Sequence, residues 1–166
     1  MRLTLDGVGG AIVETEAYHP TEAASHSFSG RTARNAAMFG PGGRAYVYMS
    51  YGIHWCLNIV AGTDMGSAVL IRALAPEAGV EQMRRRRGVE PLKNLCSGPG
   101  KLCQALGITR EQDGLALDQP PFAISAGPSG KVLVGPRIGI SKAVELPWRF
   151  GLAGSPYLSR AFPPQA

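Results

Sequence analysis

The sequence predicts a single α+β domain covering residues 1–166. Segments with the character of β-strands dominate the first half of the chain, and only two segments have the character of helices. The two types do not alternate regularly, as they would in a parallel sheet built from βαβ units. A chain of 166 residues, of which 45% are hydrophobic, is also long enough to bury one core.

The first predicted strand covers residues 11–18, which have the length and β-branched content of a strand. Side chains alternate between the two faces of a strand. One face of this strand should therefore carry Ile12, Glu14, Glu16 and Tyr18. The last two can then point into the same pocket. Residues 19–43 are rich in Gly, Ser, Thr, Arg and Pro, which predicts a long, irregular, functional loop.

A β-hairpin is the clearest structural signal in the chain. Residues 44–50 and 53–60 are strand-like and flank the dipeptide Tyr51-Gly52, whose glycine supplies the backbone freedom of a tight connection. Tyr51 is therefore predicted at the hairpin tip. A third strand covers residues 67–74, and there Arg72 lies on a largely apolar strand, so its guanidinium requires a partner.

Two helices are predicted in the middle of the chain. The first covers residues 76–87, opens with Pro and Glu, and ends before Gly88. The second covers residues 97–106, with Ser97 as its N-cap and a glycine after its last residue.

The last third of the sequence is rich in turns. It contains two further predicted strands, at residues 131–134 and 137–141. The chain contains no internal repeat, coiled coil or low-complexity tract.

The charge and cysteine content narrow the possible environments and partners. Seventeen Lys and Arg against twelve Asp and Glu give a net charge of +5, which favours an anionic partner such as nucleic acid. Three cysteines without CxxC spacing argue against a disulfide framework and a zinc site and indicate a reducing setting. With no secretion signal and no run of eighteen apolar residues, we expect a cytoplasmic protein near the nucleoid in a bacterium, or a nuclear one in a eukaryote.

Polar and aromatic residues concentrate in the first third of the chain. The group comprises Glu16, Tyr18, His26, Tyr48, Tyr51 and Asn58. Such a set can hold a flat, hydrogen-bonding ring between aromatic faces and attack the bond beside it, so a nucleobase is the expected ligand. Each member also has an ordinary structural alternative: a solvated strand position for the carboxylate, loop capping for the histidine and hairpin packing for Tyr51. Tyr46 is predicted to pack in the core or on a strand face and not to contact DNA, and His19 and His54 have no assigned role.

Six sequence strings together resemble a known enzyme family. They are ETEAY, AASHS, MFGPGGRAYVYMSYG, CLNI, VLIRAL and CSGPGKLCQALGI, which lie within residues 14–108, and the resemblance as a whole extends from about Ile12 to Ser159. Their order and spacing are similar to those of the alkyladenine DNA glycosylases, also called 3-methyladenine or methylpurine DNA glycosylases. The resemblance implies a curved, mainly antiparallel sheet with a hairpin inserted toward DNA. It also implies a monomer that acts on double-stranded DNA containing damaged purines, without a cofactor or a membrane.

The resemblance assigns roles to individual residues. Glu16 would activate the hydrolytic water, Arg72 would help to place it, and a backbone carbonyl within residues 138–140 would also hold it. The pocket for the flipped base would be lined by Tyr18, Ala24, His26 and Tyr48. Asn58 would oppose the exocyclic amine of normal guanine, and Tyr51 would fill the gap that the base leaves in the duplex. The expected substrates are 3-methyladenine, 7-methylguanine, hypoxanthine and ethenoadenine.

No strand cleavage is expected after base removal. Glycosylases that also cut the strand use an amine nucleophile, and no lysine occurs in residues 1–92, which we expect to supply the pocket. Neither do the His and Cys residues form a metal-binding pattern, so we expect water activation without a metal.

Phosphate contacts are predicted for Arg31, Arg34 and Lys101. The last follows SGPG at a helix start, where free amide donors suit an anion, although the string lacks the spacing of a P-loop. The four arginines at 84–87 are interpreted first as a solvated helix end and second as phosphate contacts.

Two departures from the family pattern concern the start of the chain. Family members usually carry a helix and a strand before ETEAY, whereas eleven residues precede Ile12 here, which predicts a weakened sheet edge. The loop at 19–25 is one residue shorter than the vertebrate pattern, which could alter the neutral lesions that fit.

Two rival functions remain at this stage. One is a nucleic-acid-binding protein that kept the pocket and lost turnover, against which the intact pair of Glu16 and Arg72 argues. The other is a small-molecule hydrolase, against which the basic charge and Tyr51 argue.

Overall fold

One antiparallel sheet organises the chain in the computed structural model, which describes residues 1–164. Its strands are β1 (Arg2–Leu5), β2 (Val8–Tyr18), β3 (Ala45–Ser50), β4 (His54–Val60), β5 (Ala68–Ala78), β6 (Phe122–Ser125), β7 (Val132–Gly135) and β8 (Arg149–Leu152). The α-helices of the described region are α1 (Val80–Arg87) and α2 (Pro99–Leu106). Three short 3-10 helices cover Ala36–Phe39, Leu92–Asn94 and Arg110–Gln112. This confirms the predicted α+β class.

Strand β2 occupies the centre of the sheet. The strand order is β3-β4-β5-β2-β1-β6, so β2 pairs with β5 along one edge. Its other edge is shared, because β1 pairs with its first half and β8 pairs with residues Glu14, Thr15 and Glu16. The two carboxylates of β2 are therefore enclosed by strands on both sides.

The pairing of β2 with β5 is irregular beside these carboxylates. The register shifts between Ile12 and Glu14 and again between Glu14 and Thr15. As a result, Ile12 and Thr15 line an apolar cavity on one face of the sheet together with Val69 and Ile71. The prediction that Ile12 shares a face with Glu14, Glu16 and Tyr18 is therefore wrong. The register shifts are a β-bulge, which reverses the alternation of side chains at this point of the strand.

Three strands were not predicted from the sequence. β1, β6 and β8 have four residues each, which is too short for a clear alternating pattern. The expected weak edge beside β2 is covered, since β1 pairs with β2 and β6 pairs with β1. Residues 137–141 were predicted as a strand, but they form a loop held by side-chain contacts.

Both helices begin later than predicted. Strand β5 continues through Pro76 to Ala78, and Pro76 pairs with Gly10 of β2. A Cβ atom at Gly10 would lie 1.8 Å from the carbonyl oxygen of Ala75, so only glycine permits this close approach. In α2 the N-cap is Gly98 without a side-chain cap, and Ser97 instead forms a bridge with Ala73.

The core lies between the sheet and the two helices. It includes Leu3, Val47, Leu57, Ile71, Leu74, Met83, Leu102 and Leu106, all fully or almost fully buried. Neither α-helix in the described part of the chain has the length and hydropathy needed to cross a bilayer.

The arginines at the end of α1 join this helix to its surroundings. Arg86 donates to the carbonyl of Ala105 in α2 at 3.0 Å, and Arg87 pairs with the Gln104 side chain. Arg84 pairs with Glu81. A solvated helix end is therefore the wrong interpretation for Arg86 and Arg87, whose donors are used on contacts with α2 and with the Asn94 carbonyl. The partners of Arg84 are exposed carboxylates, which agrees with a solvated helix end.

Candidate base-binding site

A cavity of about 610 Å³ opens where the hairpin, the 19–43 loop and β5 meet. Its lining contains the predicted residues Tyr18, Ala24, His26, Tyr48, Tyr51, Asn58 and Arg72. It also contains Pro99, Gly100 and residues 138–142. The structure thus brings the predicted pocket residues together. The expectation that residues 1–92 supply the whole pocket is wrong, because the later segments close one side of it.

Glu16 is fully buried beneath this cavity and is satisfied by three neighbours. Its Oε1 accepts a hydrogen bond from the backbone N–H of Ile138 at 2.7 Å. Its Oε2 accepts one from the Tyr18 hydroxyl at 3.0 Å and lies 3.2 Å from Nη1 of Arg72. All three donors belong to residues that line the cavity. The carboxylate therefore lies directly behind residues of the cavity wall and is not itself part of the lining.

Arg72 bridges the two carboxylates of β2. Its Nε lies 3.2 Å from Oε1 of Glu14, and its Nη1 contacts Glu16. Glu14 also accepts from Arg149 at 3.1 Å and from the Ser159 hydroxyl at 2.8 Å. The partner that Arg72 requires on an apolar strand is thus a pair of carboxylates, as expected for a buried cation.

Aromatic rings form one wall of the cavity. The His26 and Tyr48 rings meet edge to face with centroids 4.5 Å apart, and Tyr48 stacks on Tyr46 at 5.5 Å. A 2.9 Å hydrogen bond joins Nδ1 of His26 to the Tyr46 hydroxyl. Tyr46 is almost fully buried, as predicted, although it also contributes to the cavity lining.

Burial keeps this wall uncharged near neutral pH. It lowers the pKa of His26, with a further contribution from Arg34. It raises the pKa of Tyr46 to about 12 and also raises the pKa of Tyr18, where the Glu16 carboxylate adds to the effect. It raises the pKa of Tyr48 as well. The wall is therefore an array of neutral aromatic faces.

Two lining residues are held by backbone contacts. The Nδ2 amide of Asn58 donates to the Tyr46 carbonyl at 3.1 Å, which fixes the orientation of this buried side chain. The backbone N–H of Ala24 donates to Oε2 of Glu22 at 2.8 Å. Glu22 was not identified from the sequence.

Tyr51 lies at the tip of the β3–β4 hairpin, as predicted. It is 85% exposed and has a left-handed φ of 51°, followed by Gly52 at 70°. The adjacent Ile53 is 71% exposed. The hairpin therefore presents two large hydrophobic side chains beside the cavity mouth.

The predicted cations differ in their relation to the cavity. Arg34 lines it and donates to the Met49 carbonyl at 3.0 Å, whereas Arg31 and Lys101 are exposed and lie outside the lining. Lys142 lines the rim but was not considered from the sequence. Among residues 1–164, no three His, Cys, Asp or Glu side chains are grouped as a metal site.

Sequence reasoning also missed Arg137, whose side chain is completely buried against Glu22 and Tyr18. Its partners lie more than one hundred residues earlier in the chain, so no local pattern could have indicated them. His54, which had no assigned role, lines the cavity and packs against Gly100 of α2.

Comparisons with known proteins agree with this geometry. The family model for methylpurine-DNA glycosylase matches residues 1–156. A protein of Rhodopseudomonas palustris strain BisB18 is 62% identical over 164 residues, which cover 96% of this chain and 81% of the relative. Proteins of Rhizobium meliloti and Nitrosospira multiformis are 61% and 58% identical, each over 96% of this chain and over 85% and 84% of their own lengths. All three are provisionally named 3-methyladenine DNA glycosylase. The chain therefore belongs to the methylpurine-DNA glycosylase family.

Proposed function

We propose that this DNA glycosylase flips an alkylated or deaminated purine out of double-stranded DNA and hydrolyses its N-glycosidic bond with a water activated by Glu16. The protein would act as a monomer and leave an abasic site. The observation that carries the proposal is the Glu16 carboxylate, which is buried directly behind the wall of an aromatic cavity and bound there by Arg72, a residue of that wall.

Base selection would depend on the aromatic wall. Alkylation at a ring nitrogen such as N3 of adenine or N7 of guanine gives the purine a positive charge, and a neutral aromatic face attracts a cation by about 0.5 to 2 kcal/mol. Tyr18, His26 and Tyr48 would supply such faces around the base, with Ala24 completing the contact surface. Asn58 would oppose the exocyclic amine of normal guanine and so disfavour an undamaged base.

Hydrolysis would use the residues around Glu16. Cleavage of a glycosidic bond develops positive charge on the sugar, which a nearby carboxylate stabilises while it accepts a proton from water. Arg72 would help to hold the carboxylate and the water. A carbonyl within residues 138–140 would be a second acceptor for that water, and the contact between Ile138 and Glu16 supports this because it brings that backbone to the carboxylate.

DNA engagement would combine an inserted side chain with phosphate contacts. Tyr51 would fill the stacking gap left by the flipped base and so offset an unstacking cost of roughly a few kcal/mol. Arg31, Arg34 and Lys101 would contact phosphates. Exposure of Tyr51 at the hairpin tip supports its part in this scheme.

We propose that the enzyme does not cleave the strand. Covalent catalysis by lysine is favoured where the amine is desolvated. Lys142 lies at the cavity rim and is exposed, which argues against this chemistry. The names of the relatives make 3-methyladenine the first lesion to test, and 7-methylguanine, hypoxanthine and ethenoadenine are further candidates.

The test is a gel assay with duplexes that each carry one lesion, analysed with and without alkali, beside an undamaged duplex of the same sequence. We expect lesion-dependent breaks only after alkali, because an abasic site is alkali-labile. Breaks without alkali, or a borohydride-trapped adduct, would reject monofunctional hydrolysis. Tight binding without any base release would favour the non-catalytic binding protein.

A further inference from the structure

We propose that Arg137, held by Glu22, is a positioning residue that aligns the Tyr18 ring, the Ala24 backbone and the Ile138 amide around the flipped base. This inference rests on the proposed function. It concerns residues outside the cavity lining that touch three lining residues from behind.

The Arg137 guanidinium is fixed through its two terminal nitrogens, while its buried Nε has no hydrogen-bond partner among the described residues. Its Nη1 and Nη2 donate to the two carboxylate oxygens of Glu22 at 2.7 and 3.0 Å. Nη1 also donates to the Ala17 carbonyl at 2.9 Å, and Nη2 to the Ala143 carbonyl at 3.3 Å. The Arg137 side chain has no exposed surface, and Glu22 is also buried. A buried bidentate pair of this kind allows little movement.

One consequence concerns the catalytic carboxylate. Arg137 immediately precedes Ile138, whose N–H donates to Glu16 at 2.7 Å. The contacts of Arg137 with Ala17 and Ala143 tie both ends of this loop to the end of β2. Since residues 137–141 have no strand pairing to hold them, the guanidinium fixes the distance between the Ile138 amide and the Glu16 carboxylate.

Two further consequences concern the base pocket. The Arg137 guanidinium lies 4.6 Å from the centroid of the Tyr18 ring, and the ring itself lines the cavity while Arg137 does not. The same guanidinium lies 5.4 Å from the centroid of the Trp148 ring. The cation therefore supports Tyr18 on the side away from the cavity. Glu22 completes the arrangement, because its Oε2 accepts the N–H of Ala24.

Only arginine can satisfy this geometry. A planar guanidinium donates several hydrogen bonds in fixed directions and stacks on aromatic rings, whereas a lysine ammonium is a compact charge on a flexible chain. Arg137→Lys preserves the charge beside Glu22 but loses the simultaneous contacts with Ala17, Ala143 and Tyr18. A loss of activity in this variant would therefore reflect the lost positioning contacts and not the loss of a positive charge beside Glu22.

The experiment compares Arg137→Lys with the matched control Arg86→Lys. Arg86 also donates to a backbone carbonyl, but it lies on α1, outside the cavity lining. The single-turnover rate of base release and the affinity for a duplex with a tetrahydrofuran abasic analogue are measured for both. We expect Arg137→Lys to slow release by about 10- to 100-fold while its affinity stays within about threefold, because small misplacements of reacting groups cost rate. Arg86→Lys should remain within about twofold of wild type in both.

A second readout reports the pocket directly. In a Glu16→Gln background, which we expect to retain the base, the fluorescence of a bound ethenoadenine duplex should change less when Arg137→Lys is added, since the Tyr18 ring is less well ordered. If Arg137→Lys does not fold, Glu22→Gln replaces it with the same expected pattern. Release within twofold of wild type in a folded variant would overturn the inference. Wild type without any base release would instead overturn the proposed function.

Discussion

Two neighbouring carboxylates on β2 have different surroundings. Glu14 accepts four hydrogen bonds, from Arg72, Arg149 and the backbone and hydroxyl of Ser159. Glu16 contacts three donors that line the cavity. Glu14 is therefore bound by residues of the interior, while Glu16, although fully buried itself, is bound by residues of the cavity wall. Two buried carboxylates and two buried guanidiniums also balance their charges, which limits the cost of burying them.

Acidification should destabilise the protein through His26. Burial and Arg34 lower the pKa of His26 below its ordinary value of 6.5. The unfolded chain therefore binds a proton as pH falls through about 6.5 while the folded protein does not, so stability present above that pH is lost below it. Urea unfolding at about pH 7.5 and about pH 5.5 should show a smaller loss for His26→Gln than for wild type. An identical loss in both proteins would contradict this account. His19→Gln serves as the control, because His19 lies outside the cavity lining and its ring is 3.5 Å from the Asp64 carboxylate. This substitution should not reduce the loss of stability at low pH.

The strands of the sheet place the site residues next to one another. The alternation of β2 accounts for Glu16 and Tyr18, and the irregular pairing with β5 brings Arg72 between the two carboxylates. The β3–β4 hairpin contributes the two tyrosines of the aromatic wall, Tyr46 and Tyr48. It ends in a turn closed by a hydrogen bond from the Ile53 N–H to the Ser50 carbonyl at 3.1 Å. A turn closed by a backbone hydrogen bond is suited to insertion because its backbone conformation is already set before binding.

Tyr51→Ala should separate base capture from chemistry. The substitution removes the exposed ring at the hairpin tip, so the gap left by a flipped base is no longer filled. We expect the affinity for a lesion-containing duplex to fall by roughly 5- to 30-fold, corresponding to about 1 to 2 kcal/mol of lost stacking. Base release from a single-stranded substrate should change by less than about twofold, since no stack has to be opened. Equal losses on single and double strands would reject the wedge.

At the scale of the whole molecule, local patterns predicted the hairpin tip, the shared face of Glu16 and Tyr18, and the need of Arg72 for a partner. The choice of Glu16 over Glu14 required the family resemblance, because both occupy the same face of the strand. These predictions depend on spacing within one or two elements, which the sequence displays directly.

Contacts between distant segments could not be predicted in this way. The pairing of Arg137 with Glu22 joins residues 115 positions apart. The continuation of β5 through Pro76 depends on the close approach of Gly10 from another strand. Local propensity favoured a helix at Pro76 and a strand at 137–141, and tertiary packing determined otherwise.

The most direct test of the whole account is the single-turnover rate of base release by Glu16→Gln on a duplex with one 3-methyladenine or hypoxanthine. Because this change removes the proton acceptor but keeps the side-chain shape, release should fall by about 10²- to 10⁴-fold, while affinity for the abasic-analogue duplex stays within about threefold. The control is Glu77→Gln, which changes an exposed carboxylate on β5 that pairs with Arg2. This variant should release the base at the wild-type rate. Near-normal release by Glu16→Gln would show that another group activates the water.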